Sequence, residues 1–318
     1  MAEHIKLLRP FEGQWEPERE IGAGSFGRVW KAARKKEGEK EYTAIKEILI
    51  PGSEEVLREA RFEGLDEEGA KLYFRGILDQ AEKEAAFMGK LSDCPNIVRF
   101  YEYEVRERKE MGEFGWALYI RMELLVPVRE IFLERKFSVR DAARLAVHIC
   151  NALEYCGKKG IIHRDIKPDN LFYDPKTDTY KLGDFGYAQD LSRATASKKG
   201  RPGTLSYMPP EVYQGGMASG QSDLYGLGMI LYRMLNHFRI PFLPEYPAPF
   251  SPGERDAALM KRLNGEEPGE PQILREQEDE EKAVFLGRIA RKSIAACPKD
   301  RFQSAKELRE SIQKLDLL

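Results

Sequence analysis

The spacing of apolar residues changes character along this chain, and the change divides it. From Trp15 to Ile50 apolar and polar positions alternate with the period of a strand. Trp15–Ala23 leads into a glycine-rich turn, Val29–Ala33 alternates, and Tyr42–Ile50 alternates again with Tyr42, Ala44, Lys46 and Ile48 on one face. The charged stretch Lys35–Lys40 between them reads as a solvated hairpin tip. From Glu54 to Leu91 the period lengthens to that of a helix, with Ile77, Ala81, Glu84, Met88 and Leu91 predicted to share one stripe. That stripe carries one carboxylate, Glu84, and a buried carboxylate needs a partner. Residues 97–105 and 116–122 read as two further strands.

Beyond Leu125 the pattern is largely helical. Ser138–Asp141 forms a capping box ahead of a helix whose apolar positions are Ala142, Leu145, Ala146, Ile149, Ala152, Leu153 and Cys156. Further helices are predicted over Ser222–Leu235 and Asp279–Ala296, the latter with an acidic start, Glu276–Glu281, that suits a helix N-terminus. Ser304–Glu307 caps a last one. There is no internal repeat. The pattern gives an α+β chain: a sheet-rich part with one helical stretch over Glu54–Leu91, a boundary near Met122–Val126, and a helical part beyond it.

Composition narrows the class. A chain of 318 residues suits two lobes better than one small module. A hydrophobic fraction of 42% beside a charged fraction of 33% is that of a folded domain and not of a disordered chain. The net charge of −2 gives no global sign of a nucleic-acid or membrane partner. The longest apolar run, Leu224–Leu235, is interrupted by Arg233 and too short to span a bilayer; Met1–Pro10 carries charges where a secretory leader would be apolar. Cys94, Cys150, Cys156 and Cys297 show neither CxxC pairing nor metal spacing with His, so buried free thiols in a reducing, cytoplasmic setting are expected.

The glycine-rich turn, Gly22-Ala-Gly24-Ser-Phe-Gly27, fits three phosphate-binding designs. A dinucleotide fold needs a helix after the third glycine, and Arg28–Ala33 alternates instead. A P-loop needs Gly-Lys-Ser/Thr, and this chain has Gly27-Arg28-Val29. A strand–turn–strand flap over phosphates survives, beside a plain glycine-rich hairpin with no ligand.

Ala44-Ile-Lys46 follows that flap. Then come His163-Arg-Asp-Ile-Lys-Pro-Asp-Asn170, Asp184-Phe-Gly186 and Pro209-Pro-Glu211. In this order the motifs resemble the eukaryotic-type (Hanks-type) serine/threonine protein kinase family, over about residues 15–315. The resemblance implies a bilobal kinase fold, with a small antiparallel-sheet N-lobe over 1–121 bearing one main helix, a hinge at 122–125, and a larger, mainly α-helical C-lobe over 126–318. It implies transfer of the γ-phosphate of ATP, with Mg²⁺, to Ser or Thr hydroxyls of protein substrates, the chain's own activation loop included.

The roles it implies are specific. Ile21, Gly22, Ala23, Gly24, Ser25 and Gly27 would cover the nucleotide. Lys46 would meet the α- and β-phosphates, held by Glu84 and not by its rival Glu82, which faces away from the apolar stripe. Asp165 would orient the acceptor hydroxyl and take its proton, Lys167 would neutralise the transferred group, and Asn170 and Asp184 would ligate Mg²⁺. Met122, Glu123 and Leu125 resemble the hinge at the adenine edge, with Val29, Ala44 and Phe172 around the purine; Phe172 reads equally well as plain core. Met88, Phe100, His163 and Phe185 stand where the family stacks an apolar spine anchored on Asp223. Glu211 would pair with Arg301. Arg164 beside Asp165 implies control through a phosphate on Thr195 or Ser197, although Lys198, Lys199 and Arg201 are also what a solvated loop carries. Lys167 and Thr204 follow the Ser/Thr-specific pattern.

The sequence departs from the family at three places. Lys46 and Glu84 are further apart than usual, the excess being the 51–76 segment, a partner surface or a neutral insertion. A similar segment in some bacterial members points to a bacterial origin. Pro209 and Asp93-Cys94 replace usual residues away from the chemistry. A nucleotide-binding pseudokinase would lack Lys46, Asp165 or Asp184, and a small-molecule kinase would lack the Gly203–Glu211 segment; neither matches.

Overall fold

The computed structural model describes residues 10–24, 27–108, 115–134, 137–190, 205–273 and 280–316. They form two compact units, one running to Asp93 and resuming over Val98–Leu125, the other made of Cys94–Ile97 and the chain from Val126 on.

The first unit is an antiparallel five-stranded sheet. Strands β1 (Glu16–Gly24), β2 (Gly27–Lys36), β3 (Glu39–Ile50), β4 (Phe100–Glu107) and β5 (Trp116–Met122) lie in the order β1-β2-β3-β5-β4. The β2–β3 hairpin turns at Glu37-Gly38, both in the left-handed region that a tight turn requires. One face buries Phe11, Trp15, Trp30, Ile45, Ala117 and Tyr119. Glu47 sits in this core, where the Trp30 Nε1–H (3.1 Å) and the Tyr119 hydroxyl (3.2 Å) satisfy it.

Helix α1 (Glu54–Phe62) and the long α2 (Glu67–Leu91) complete this unit, each N-capped by a side chain, Ser53 and Asp66. Two expectations change. The buried stripe of α2 runs through Ala70, Phe74, Leu78, Ala85, Met88 and Leu91, whereas Ile77 is 40% exposed. Met88 and Leu91 of the expected stripe are buried, and in the earlier turns Phe74 and Leu78, one helical turn apart, take the buried side in place of Ile77. The inserted 51–76 segment is also not a separate element throughout: α1 is, but Glu67–Gly76 is the first part of α2 itself.

The second unit is mainly helical. It contains β6 (Val126–Pro127), α3 (Val128–Glu134), α4 (Val139–Lys158), β7 (Ile161–Ile162), β8 (Leu171–Asp174), β9 (Thr179–Leu182), β10 (Gln189–Asp190), α5 (Pro210–Tyr213), α6 (Gly220–Leu235), α7 (Pro252–Leu263), α8 (Glu280–Ser293) and α9 (Ala305–Gln313). The Ser138–Asp141 capping box forms, and every apolar position expected of α4 is buried. Helix α6 is buried along almost its whole length. It approaches the chain after β7 so closely that a Cβ on Gly226 would lie 2.8 Å from Ile166 Cβ and 2.9 Å from its carbonyl oxygen. A glycine is what lets α6 pack against that segment.

Cys94, Cys150 and Cys156 are free and buried, and burial pushes each thiol upward, away from reactivity. Cys297 departs from the expectation: it is exposed, in the turn between α8 and α9. Among the described residues no helix is long and apolar enough to cross a membrane.

Candidate functional site

The segment between β7 and β8 is held by a close set of hydrogen bonds. Its anchor is Asp223 near the start of α6, whose carboxylate accepts the backbone N–H groups of His163 (2.8 Å) and Arg164 (2.7 Å). Burial pushes this carboxyl above its ordinary range, with His163 and the two N–H donors opposing. Arg164 takes a left-handed φ of 71° and Asp184 one of 55°. Non-glycine residues hold such conformations only where their surroundings over-determine them.

The His163 ring is locked from both sides. Its Nδ1 accepts the Asp165 N–H (3.3 Å), so Nε2 carries the proton and donates it to the Gly183 carbonyl at 3.0 Å. Phe185 packs edge-on against it, with ring centroids 4.8 Å apart. The strand pair β8–β9 closes the arrangement: Asn170 precedes β8, Gly183 follows β9, and Gly183 N–H donates to Asn170 O at 2.9 Å. Asn170 and Asp184 are thereby brought to one end of the same hairpin, as the sequence spacing implied.

Asp165 lies at the centre of this segment and is 5% exposed. Its Oδ2 accepts Lys167 Nζ at 2.6 Å and Asn170 Nδ2 at 3.0 Å, and the same Asn170 amide donates to Asp165 O at 2.8 Å. The Asn170 amide oxygen Oδ1 and the Asp184 carboxylate are hard oxygen donors at the same end of the β8–β9 hairpin. Two such donors suit Mg²⁺, which keeps waters and substrate phosphates as its other ligands. Among the described residues no cluster of three His, Cys, Asp or Glu forms an all-protein cage.

In the first unit Lys46 sits in the middle of β3, not at a strand end, paired in register with Val29 of β2 and Ile120 of β5. Its Nζ is 3.5 Å from Glu84 Oε1, both side chains being mostly buried. Glu82, the alternative partner, instead meets Arg75 at 3.6 Å. Gly27 has φ of 113°, and a Cβ there would fall 2.0 Å from the Glu47 carbonyl oxygen. The last glycine of the loop is therefore required by packing against β3. Gly22, by contrast, has room for a side chain beside Val29.

Ala44 is buried in register with Met122, whose carbonyl accepts the Thr43 hydroxyl at 2.7 Å. The Glu123 N–H donates to Arg99 O at 3.0 Å and its Oε1 accepts the Arg99 N–H at 2.6 Å, which ties the end of β5 to the start of β4. Ile21, Ala23 and Leu125 flank these strands; Phe172 is half-buried on β8. Met88 is buried in α2, and Phe100 is half-buried at the start of β4. Ser25, Thr195, Ser197 and Thr204 lie outside the described residues.

Glu211 and Arg301 form a bidentate pair, Nη1–Oε1 at 2.8 Å and Nη2–Oε2 at 2.7 Å, with Arg301 fully buried. Ser222 and the carbonyls of Ala295 and Ala296 complete their hydrogen bonding. Arg164, in contrast, has a buried Nε with no hydrogen-bond partner among the described residues, and burial lowers its guanidinium pKa. The sequence reading missed Thr43, Glu47 and Tyr207. Thr43 and Glu47 flank Lys46 on the opposite face of β3, so their parity was the available signal.

A family model described as "Protein kinase domain" matches residues 15–246. The chain is 30% identical over 225 residues to an Aurora-related protein kinase of Caenorhabditis elegans, covering 70% of this chain and 63% of that protein. It is 27% identical over 245 residues to a probable serine/threonine-protein kinase of Bifidobacterium longum, covering 76% of this chain and 30% of that one. Aurora kinase B of Mus musculus is 28% identical over 225 residues, with 70% and 55% covered. The match thus spans only part of the length of these relatives.

Proposed function

The chain belongs to the protein kinase domain family, and from that premise we propose that it transfers the γ-phosphate of Mg-ATP to Ser or Thr hydroxyls of protein substrates. The bilobal kinase fold is present in its two units, a sheet lobe and a helical lobe. The observation that carries the proposal is the intact Asp165–Lys167–Asn170 hydrogen-bonded cluster on its Asp223 anchor.

In this reading Asp165 accepts the proton of the acceptor hydroxyl, and Lys167, already on Asp165 Oδ2, neutralises charge on the transferred group. Asn170 and Asp184 hold Mg²⁺, which when bound would offset the phosphate charge. Lys46, positioned by Glu84, holds the α- and β-phosphates. Ile21, Gly22, Ala23, Gly24, Ser25, Gly27, Val29, Ala44 and Phe172 contact the nucleotide, and Met122, the Glu123 carbonyl and Leu125 line its adenine edge. Arg164, whose buried Nε has no hydrogen-bond partner among the described residues, is the receiver for a phosphate on Thr195 or Ser197 of the chain's own activation loop. Thr204 belongs to the Ser/Thr-selective segment. Glu211, Asp223 and Arg301 act by holding the helical lobe together.

The test is incubation of the protein with labelled Mg-ATP and a generic protein substrate, beside Asp165→Asn. Label on Ser or Thr that the variant abolishes, with nucleotide binding retained, is the expected result. Nucleotide binding without label in the wild type would point to a scaffold instead.

A further inference from the structure

One cavity in the helical unit has no part in phosphoryl transfer. It lies at the C-terminal end of α6, encloses about 300 Å³, and its walls include Arg233, Arg239, Arg255, His237, Tyr246 and Phe250. Its charge is one-sided, since no Asp or Glu is among its lining residues. Two of the guanidinium groups are held by neutral oxygens. Arg233 donates from Nε to Phe238 O at 3.0 Å and meets the Tyr207 hydroxyl. Arg239 donates to Pro244 O at 2.6 Å and lies over the rings of Tyr246 and Phe250. Arg255 reaches a carboxylate, Asp256, only at 3.9 Å and in solvent. Glu254 is occupied by its own capping box with Ser251, and Glu245 is an exposed residue of the preceding loop. His237 stacks on Tyr246 at 4.2 Å; burial, then Arg239, lowers its pKa, so it adds no compensating charge.

The wall is also strained. His237, Phe238 and Phe242 have φ of 51°, 59° and 69°, three left-handed non-glycine residues in one short loop. Such conformations cluster where a ligand clamp is held in shape by its surroundings.

The cavity is one side chain away from the catalytic segment. Tyr207, whose hydroxyl meets Arg233, also lines a crevice together with Arg164, Asp165 and Ile166. Tyr207 feels the charges of Asp169 and Arg129, and those two form an ion pair at 2.9 Å. The carboxylate on this side of the segment is therefore already neutralised, while among the described residues no carboxylate pairs with Arg233 or Arg239.

We propose that this cavity is a docking subsite for the protein substrate, taking an acidic side chain next to an apolar one, so that the chain selects Ser or Thr acceptors in acidic segments. The proposal deepens the protein-kinase reading and rests on it. The guanidinium groups attract carboxylates, the aromatic walls take the apolar neighbour, and a basic segment is rejected by like charge. Arg233, Arg239 and Arg255 come from α6, the loop after it and α7, so the positive groups are spread along the wall, an arrangement that suits carboxylates spaced along a peptide.

The test uses the full chain and three fluorescent peptides with the same Ser acceptor: Glu-flanked, Lys-flanked, and one with phosphoserine replacing a flanking Glu. Binding is read by anisotropy, and phosphorylation as kcat and KM, for wild type, Arg239→Gln and Arg255→Glu. The Glu peptide is expected to be favoured about tenfold in kcat/KM, in keeping with two or three exposed charge pairs, through KM. Arg255→Glu should bring the ratio near parity, and added salt should shrink it in the wild type. Arg255 is half exposed, so its variant keeps the test open if Arg239→Gln costs the fold. Equal use of the Glu and Lys peptides, a preference untouched in folded variants, or binding confined to the phosphoserine peptide would overturn the proposal. Phosphorylation of the Lys peptide without acidic preference sinks this inference and leaves the kinase reading standing. Binding of the Glu peptide, lost in Arg255→Glu, with no peptide phosphorylated does the reverse for the acid-binding site.

Discussion

Arg301 shows how much can rest on one side chain. Its guanidinium is fully buried and its donors go to Glu211, Ala295 O and Ala296 O. Truncation to alanine leaves the Glu211 carboxylate mostly buried beside Ser222 with no counter-charge. Removing one partner of a buried pair costs roughly 3–5 kcal/mol, so Arg301→Ala should lower the midpoint of chemical unfolding and the yield of folded protein together. Unfolding at the wild-type midpoint would refute this. Single residues were legible in the sequence where type and spacing suffice: Glu84 was selected over Glu82 because it shares a helical face with Met88 and Leu91, and Glu84 is the residue near Lys46. Gly27 was legible only as a loop glycine. That it must be glycine because of the Glu47 carbonyl is a fact of strand packing that no local pattern encodes.

At the scale of elements, α4 and α9 are joined through Glu154, which forms ion pairs with Arg309 (2.6 Å) and Lys158 (2.9 Å). The Lys158 hydrogen bond, then Arg309, holds the Glu154 carboxyl below its ordinary range against a smaller desolvation. A lowered folded-state pKa contributes stability that is present above the unfolded value, about 4.3, and is lost as pH falls through the folded one. Thermal melts should therefore show wild type above Glu154→Gln at neutral pH, with the gap closing as the pH drops below the unfolded value and through the lowered folded one. A gap independent of pH would rule the carboxylate out. Elements with a capping box and a clean period, such as α4, could be read directly. Helix α7 was overlooked although Ser251-Pro-Gly-Glu254 is a capping box, because its surroundings are loop-rich. The exposed Ile77 was misassigned because a helical wheel fixes the stripe only to within about a residue until the packing partner is known.

For the whole molecule, ligand linkage is the relevant measurement. A nucleotide that binds only the folded chain adds about 2.7 kcal/mol at a hundred times its Kd. Mg-ATP should raise the melting temperature by several degrees in a concentration-dependent way, and chelation of the metal should remove part of that shift. No shift at millimolar nucleotide would contradict the proposed site. The sequence by itself determined the α+β class, the order of the elements, and the residue types His163–Asn170 and Asp184–Gly186, because periodicity and motif spacing are local properties of the chain. Tertiary structure alone decided what those residues lean on. Asp223 reaches back across the chain to the His163 and Arg164 amides, Gly226 admits Ile166 against α6, and Arg233, Arg239 and Arg255 converge on one cavity. Each of these depends on distances between segments remote in sequence, which are set only once the helices have packed.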